Sequence, residues 1–393
     1  MGQSTARTRL AATVVQFGSF VVILGVPDGL LGVLWPTMRR GLHRPLADLG
    51  LLVASGTVLY VVGGLVGERV RHALGLRGTL FWSTLLGLGA LLGWALAPGW
   101  WVILAALALL GLVKGVLDSV LNAVAAIDGG RRRLGFLHAS WAIGGTLGPV
   151  LVATLAAGGQ WREAVAVVVA ATAALVPVAA LSREEASERS TATPRRERAT
   201  AGGRWQPLAA TTLAFGLYTA AEAGPVSWGT TYLVSDRGLP TASAAVAMAV
   251  FWAALTLGRL GLALFPRVRP SVLLEVSCLS FVAGMAMFWL LPGELAVLGL
   301  PVAGLGSATI FPLYVALTPD RLGEEVTGRA VGYSIAAAAA GGPVAVAVFG
   351  LLAAHLGTAV LGPCLFLAAV VMYAGHRLLA AVVSRPALSA PPA

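Results

Sequence analysis

The stretch Phe17–Pro36 reads FGSFVVILGVPDGLLGVLWP. It is about as long as the roughly 20 apolar helical residues needed to cross ~30 Å of hydrocarbon. Asp28 sits near its middle. A carboxylate at that depth costs on the order of 2.5–3.5 kcal/mol on insertion scales, so a chain keeps one there where it faces a cavity, a partner or an ion path. The pattern recurs with Asp118 in the fourth apolar run and Glu222 in the seventh. Three acids in that setting read as a transport or proton-relay site.

Working outward, apolar residues make up 58% of the 393-residue chain and charged residues 11%. A soluble domain carries roughly 25% charged residues, so the chain reads as a membrane protein. Twelve apolar runs are long enough to span, at about 12–36, 46–68, 78–97, 100–127, 134–157, 161–181, 207–234, 239–265, 271–292, 294–318, 327–355 and 357–380. They are continuously apolar and too long for tilted barrel strands. The expected fold is therefore all-α, with twelve transmembrane helices.

The net charge of +10 does not imply a nucleic-acid partner, because of where the charge lies. If both termini are cytoplasmic, the segments on that side hold 20 basic residues, and the outer loops hold Arg39, Arg40, Arg44, Arg162 and Arg237. Lys114 and Arg259 fall within spans. This is the positive-inside asymmetry. It predicts a multi-pass protein of the plasma membrane with cytoplasmic termini. The Arg-over-Lys and Ala/Gly/Val-rich usage suits a bacterial source. Cys278 and Cys364 lie in apolar spans and read as core residues, not as a disulfide or metal site. The first run is too long for a signal peptide, and no small-residue cleavage pattern follows it, so it reads as a retained helix.

Ser182–Gln206, SREEASERSTATPRRERATAGGRWQ, is the long hydrophilic stretch of the chain and suits a solvated linker. It separates residues 1–181 from 207–393, six spans on each side. The halves resemble each other. Asp28, Gly29 and Trp35 in span 1 answer to Glu222, Gly224 and Trp228 in span 7. Gly135 and Gly144-Gly145 before Pro149 answer to Gly332 and Gly341-Gly342 before Pro343. Six spans return the chain to the same side, so the repeats are parallel. Parallel halves with a midplane site between them are one of the transporter architectures.

After span 2 comes Gly64-Leu-Val-Gly-Glu68-Arg69-Val-Arg71-His-Ala-Leu-Gly75. With two six-span halves and a basic central loop, this resembles the major facilitator superfamily, whose motif there is G-x-x-x-D-R-x-G-R-R. Gly64, Glu68 and Arg69 match, and Arg71 stands where the second Gly is expected. Within the superfamily the chain is similar to the fucose–proton symporter group: Asp28 in span 1, Asp118 and Asn122 in span 4, Gly258-Arg259 in span 8 and Ile310-Phe311-Pro312 in span 10. It departs from that group at His138 and Trp141, where amides are expected, and at Lys114. The resemblance implies a cavity lined by spans 1, 4, 7 and 10, and a gating loop at Gly64, Glu68, Arg69 and Arg71. The helix-5 spacing at Gly135, Gly144, Gly148 and Pro149 resembles that of proton–drug antiporters, with Val152-Ala153 in place of their trailing glycines.

The candidate residues follow. Asp28 lies between Pro27 and Gly29, residues that free backbone groups where a helix lines a cavity. Lys114, Asp118 and Asn122, at i, i+4 and i+8, share one helix face. Lys114 is the only lysine of the chain. Its spacing predicts either an ion pair with Asp118 or a cation that responds to Asp118 and to substrate. Glu222 faces the cavity from the second half or touches a neighbouring Ser or Thr. His138 relays protons or is a hydrogen-bonded interfacial residue. Trp35, Trp141 and Trp228 stack on a solute or anchor at the interface, and Trp35 reads as an anchor. Arg259 snorkels to the inner surface or latches onto an acid at the cavity floor.

There is no P-loop, no metal-ligand cluster and no nucleophile–His–acid set, so no enzyme and no cofactor beyond a proton gradient is expected. The leading expectation is a monomeric, proton-coupled transporter of a small sugar-like or other polar solute, working by alternating access in the lipid bilayer. The rival is proton-coupled efflux of a small hydrophobic or amphiphilic compound. A non-transporting receptor or assembly subunit would not need an acid in each half.

Overall fold

The computed structural model of the protein describes residues 13–155, 160–181, 205–264 and 269–383. The expected linker at 182–206 lies almost wholly outside the described residues. The described chain forms helices α1 (Thr13–Gly41), α2 (Asp48–Leu96), α3 (Trp100–Leu155), α4 (Trp161–Leu181), α5 (Trp205–Ser235), α6 (Thr241–Leu264), α7 (Pro270–Leu290), α8 (Gly293–Leu322), α9 (Glu324–Leu356) and α10 (Thr358–Val383).

Two of these contain a pair of crossings each. α2 has 49 residues and would be about 73 Å long if straight, more than twice the hydrocarbon thickness. Gly75 breaks it at φ 69°, ψ 172°, a conformation that costs a glycine little. The arms then run opposite ways beside α3. Gly56, Gly63 and Gly67 meet Leu107, Leu112 and Ser119 in rising order, whereas Gly87 and Gly93 meet Val113 and Ala106 in falling order. α3 has 56 residues and also turns back, because Lys114 and Trp141 both bind Asp28. In a straight helix those two would stand about 40 Å apart.

Ten described segments are long and apolar enough to cross a membrane, with Asp48–Leu96 taken as one of them. α5 is not among them, being diluted by Thr, Ser, Gly and Glu222, yet it packs on α9 and α10 like any other span. Counting both arms of α2 and adding α5 gives the twelve expected crossings. The outer face is apolar: Leu65 is 75% exposed, Leu96 73% and Trp101 72%. Such a surface suits acyl chains and not water.

The halves meet through close backbone approaches. Gly32 of α1 abuts Val226 and Ser227 of α5. Gly50 of α2 abuts Ala347 of α9, and Ala47 lies against Gly350. A Cβ on Gly32 would come within 2.2 Å of the Val226 carbonyl oxygen. These contacts lie beyond Asp28 and Glu222, toward the end of the bundle that carries the α1–α2 connection. At the opposite end Phe136 and Tyr333 stay more than half exposed.

Candidate functional site

α1 positions Asp28 by an irregular turn. Pro27 has no N–H and its ring collides with the carbonyl four residues back. The chain widens into a π-turn over Phe20–Gly25, and the Val26 N–H donates to the Val21 carbonyl. Such turns concentrate at functional sites. α1 is pressed onto the second arm of α3 by glycines on both sides. A Cβ on Gly25 would lie 2.2 Å from the Trp141 carbonyl, and one on Gly144 2.2 Å from the Val21 carbonyl. The helix-5 glycines therefore act as packing positions, and they carry Trp141 to Asp28.

Asp28 has two partners on α3. Lys114 Nζ donates to Oδ1, and Trp141 Nε1 donates to Oδ2 at 2.9 Å. The Asp28 side chain is 35% exposed and that of Lys114 15%. The expected Lys114–Asp118 pair is not what forms. Helix spacing puts those two on one face, but the tertiary fold brings Asp28 across to the amine. Asp118 is held by neutral groups instead: Tyr60 donates its hydroxyl to Oδ2 at 2.5 Å, and Asn122 Nδ2 donates to Oδ1 at 2.8 Å.

The second half supplies Glu222, which accepts a hydrogen bond from Tyr218 Oη at 2.6 Å. That hydroxyl also lies 3.1 Å from the Ser307 carbonyl of α8. The neighbours are thus a tyrosine one turn back, which the sequence reading did not name, and Ser307 of α8, the expected hydroxyl from another span. Arg259 does not snorkel. Its guanidinium lies over the Trp141 ring, 4.9 Å from the centroid, and is near enough to act electrostatically on Glu222 and Tyr218. Its Nε is buried with no hydrogen-bond partner. His138 stands edge-on to Phe20, 6.4 Å between ring centroids, within electrostatic reach of Asp118 and Arg259. It is crowded by protein yet exposed, as a side chain on a cavity wall is.

The structure thus links Asp28, Lys114, Asp118, Asn122, His138, Trp141, Glu222 and Arg259 through contacts and charge interactions where the halves meet. The motif after span 2 does not join them. Glu68 is bound bidentately by Arg71 at 2.9 and 2.5 Å and touched by His72 at 3.1 Å, all on its own helix. Gly64 offers its backbone to α3, where a Cβ on Gly115 would meet its nitrogen at 2.8 Å, while a Cβ on Gly64 itself would meet nothing within 4 Å. Trp35 and Trp228 are fully buried. They donate to the carbonyls of Leu46 at 3.1 Å and Val346 at 3.0 Å. Neither lines the site, and the interfacial-anchor expectation for Trp35 is overturned because this bond draws the indole into the core.

Three site residues escaped the sequence reading. Tyr218 was legible, one turn before Glu222. Tyr60 is 58 positions from Asp118, with no local signal. Trp252 of α6 stands 5.1 Å from Trp141, ring to ring at 75°. A second polar cluster was also unforeseen: Glu275 of α7 binds Tyr373, His376 and Arg377 of α10 at 2.5, 3.1 and 3.0 Å. An apolar groove of about 1100 Å³ between α5, α9 and α10 lies away from the charges, lined by Leu213, Val344, Val348 and Leu367. Cys364 lines this groove, while Cys278 is buried, and both are free thiols.

Residues 17–346 match the family model described as Major Facilitator Superfamily. The chain belongs to this superfamily. No curated protein matches it in sequence. Among solved structures it is similar to the nucleoside transporter NupG, with a TM-score of 0.74 at 14% identity, covering 96% of this chain and 100% of that one. It is also similar to a bacterial homologue of the human lysosomal transporter Spinster in an inward-facing, unoccupied conformation, with a TM-score of 0.66 at 14% identity over 97% and 96% of the two chains. At that identity the likeness is one of fold. The transporter superfamily, the twelve-span fold and membrane embedding stand. The fucose–proton symporter likeness is not confirmed.

Proposed function

We propose that this superfamily member carries a small polar solute, sugar-like or nucleoside-like, by proton-coupled alternating access across the plasma membrane, with both termini cytoplasmic. The observation that carries the reading is the charged constellation between the halves: Asp28 with Lys114 and Trp141 from one side, Glu222 with Tyr218 and Arg259 from the other. Ion pairs inside a membrane protein are costly and persist where they serve an ion or solute path. Here the acids are balanced by two cations and several neutral donors, so adding a proton to one acid changes which donors remain paired. Asn122, Asp118 and Tyr60 offer hydrogen-bonding groups of the kind that recognise hydroxyls. Backbone contact between the halves at the α1–α2 end supports a state closed on that side. A nucleoside, the solute named for NupG, joins a sugar to an aromatic base, and the Trp141–Trp252 pair places aromatic surface beside the acids.

The glycine spacing of span 5 lends the efflux alternative less weight, because packing against α1 accounts for Gly144 and Gly148. The test is a thermal-shift screen of purified protein against sugars, nucleosides, amines and antibiotics. Uptake of the best hit into proteoliposomes, with and without a proton ionophore, would follow. Stabilisation by a sugar or nucleoside with ionophore-sensitive uptake is expected. Stabilisation only by hydrophobic amines would turn the reading to efflux.

A further inference from the structure

Among the described residues, Trp141 is the aromatic ring whose arginine contact crosses between the halves. Its N–H is spent on Asp28 of the first half. Its face carries Arg259 of the second, and its edge contact is to Trp252, also of the second. We infer that Trp141 is a positioning residue that transmits the charge state of Asp28 to Arg259, and so links the acid of one half to the Arg259–Glu222 group of the other. The inference rests on the proton-coupled reading above.

The chemistry of the contact gives the reason. An indole N–H only donates, and an ionised carboxylate only accepts. With Asp28 ionised, Oδ1 serves Lys114 and Oδ2 serves Trp141. A proton arriving from water on Oδ2 sets donor against donor, and the indole loses its anchor. Trp252 cannot retreat to absorb the movement, because it is seated on the Gly145 backbone, where a Cβ would come within 2.4 Å of its ring. The indole then turns relative to Arg259, whose attraction to the ring depends on lying over its face. Arg259, which already reaches Tyr218 and Glu222 while its Nε stays unpartnered, then shifts its hold on those two groups. The other groups around Asp28 are Tyr60 from α2, Asp118 one turn from Lys114, and His138 one turn from Trp141. Of these His138 also lies within electrostatic reach of Arg259, but it is Trp141 that both bonds Asp28 and carries Arg259 on its ring.

The test needs no substrate. In a background with Cys278→Ala and Cys364→Ala, spin labels at Leu74→Cys and Tyr333→Cys report the distance between the inner ends in lipid nanodiscs, in mildly acidic and mildly alkaline buffer. The wild-type distance distribution is expected to shift with pH. Trp141→Phe keeps a ring for Arg259 and Trp252 but has no N–H, and is expected to lose the shift. Arg259→Gln keeps the Asp28 bond and is expected to lose it too. Melting curves confirm that each variant is folded, and if Trp141→Phe fails to fold, Arg259→Gln alone decides. Loss of the shift in Asp28→Asn but retention in Trp141→Phe or, failing that, in Arg259→Gln overturns the relay while leaving proton coupling in place. Retention in Asp28→Asn overturns the relay and moves proton sensing to another group of the site, whereas no shift in the wild type overturns the proton-coupled reading and the relay with it.

Discussion

Lys114 and Trp141 divide the two oxygens of Asp28 between them, and this division makes the three residues interdependent. Breaking a buried ion pair by removing one partner costs about 3–5 kcal/mol, and removing both can be near neutral. Asp28 is a third exposed, so solvent reduces that cost to on the order of 1–3 kcal/mol. Lys114→Met is expected to lower the melting temperature, and Lys114→Met with Asp28→Asn to recover most of it; differential scanning fluorimetry on the four proteins checks this. Asp118 should behave differently. Its partners Tyr60 and Asn122 are neutral donors, and the amide oxygen of an Asn accepts from Tyr60 as well. Asp118→Asn is therefore expected to change stability by less than about 1 kcal/mol. Transport by the same variant then reports on function rather than folding. If proton coupling needs Asp118, its pH-driven flux is lost while the melting temperature holds.

At the level of elements, glycine sets how near the helices come. Gly111 and Gly115 of α3 lie so close to α2 that a Cβ on either would come within 2.0 Å of a carbonyl oxygen, that of Gly56 or Tyr60. This small-residue seam brings Tyr60 to Asp118, as such seams do in membrane bundles generally. Gly115→Val is expected to force the arms apart at a cost of roughly 1–3 kcal/mol from overpacking, and to abolish transport by moving Tyr60 off Asp118. Gly89→Ala is the control, since nothing lies within 4 Å of its Cβ position. It should melt within about 0.5 kcal/mol of wild type, the range of unremarkable surface changes. Equal losses in the two variants would show that the seam is not what holds Tyr60.

For the whole molecule, alternating access requires the contacts between the halves at the α1–α2 end to open. The Cβ of Ala347 lies 3.0 Å from where a Cβ on Gly50 would stand, near the ~3.8 Å spacing of a disulfide. Gly50→Cys with Ala347→Cys, without the native cysteines, is expected to oxidise to a cross-link seen by peptide mass analysis. Flux should stop when the link forms and return with reductant. Transport that continues through the cross-link would show that this end does not open. Orientation is tested separately. Ser190→Cys should resist an impermeant thiol reagent in intact cells and react after permeabilisation, and labelling in intact cells would reverse the proposed topology.

Much of this protein was legible from local pattern. Apolar run length, set by hydrocarbon thickness, marked twelve crossings before any contact was known. The cost of a carboxylate in lipid singled out Asp28, Asp118 and Glu222, because a membrane chain keeps such residues only for a reason. Pairing was not legible. Helix periodicity offered Asp118 to Lys114, since spacing along one helix is all that a sequence displays, and it was the tertiary approach of α1 that gave the amine to Asp28. Tyr60 reached Asp118 through glycines 111 and 115, whose effect depends on which helix lies opposite. Arg259 looked able to snorkel, and only the closing of the two halves placed the Trp141 ring beneath it. Burial and charge act on each residue by itself and leave a mark in the sequence; partner choice depends on distances between segments far apart in the chain, and those exist only after packing.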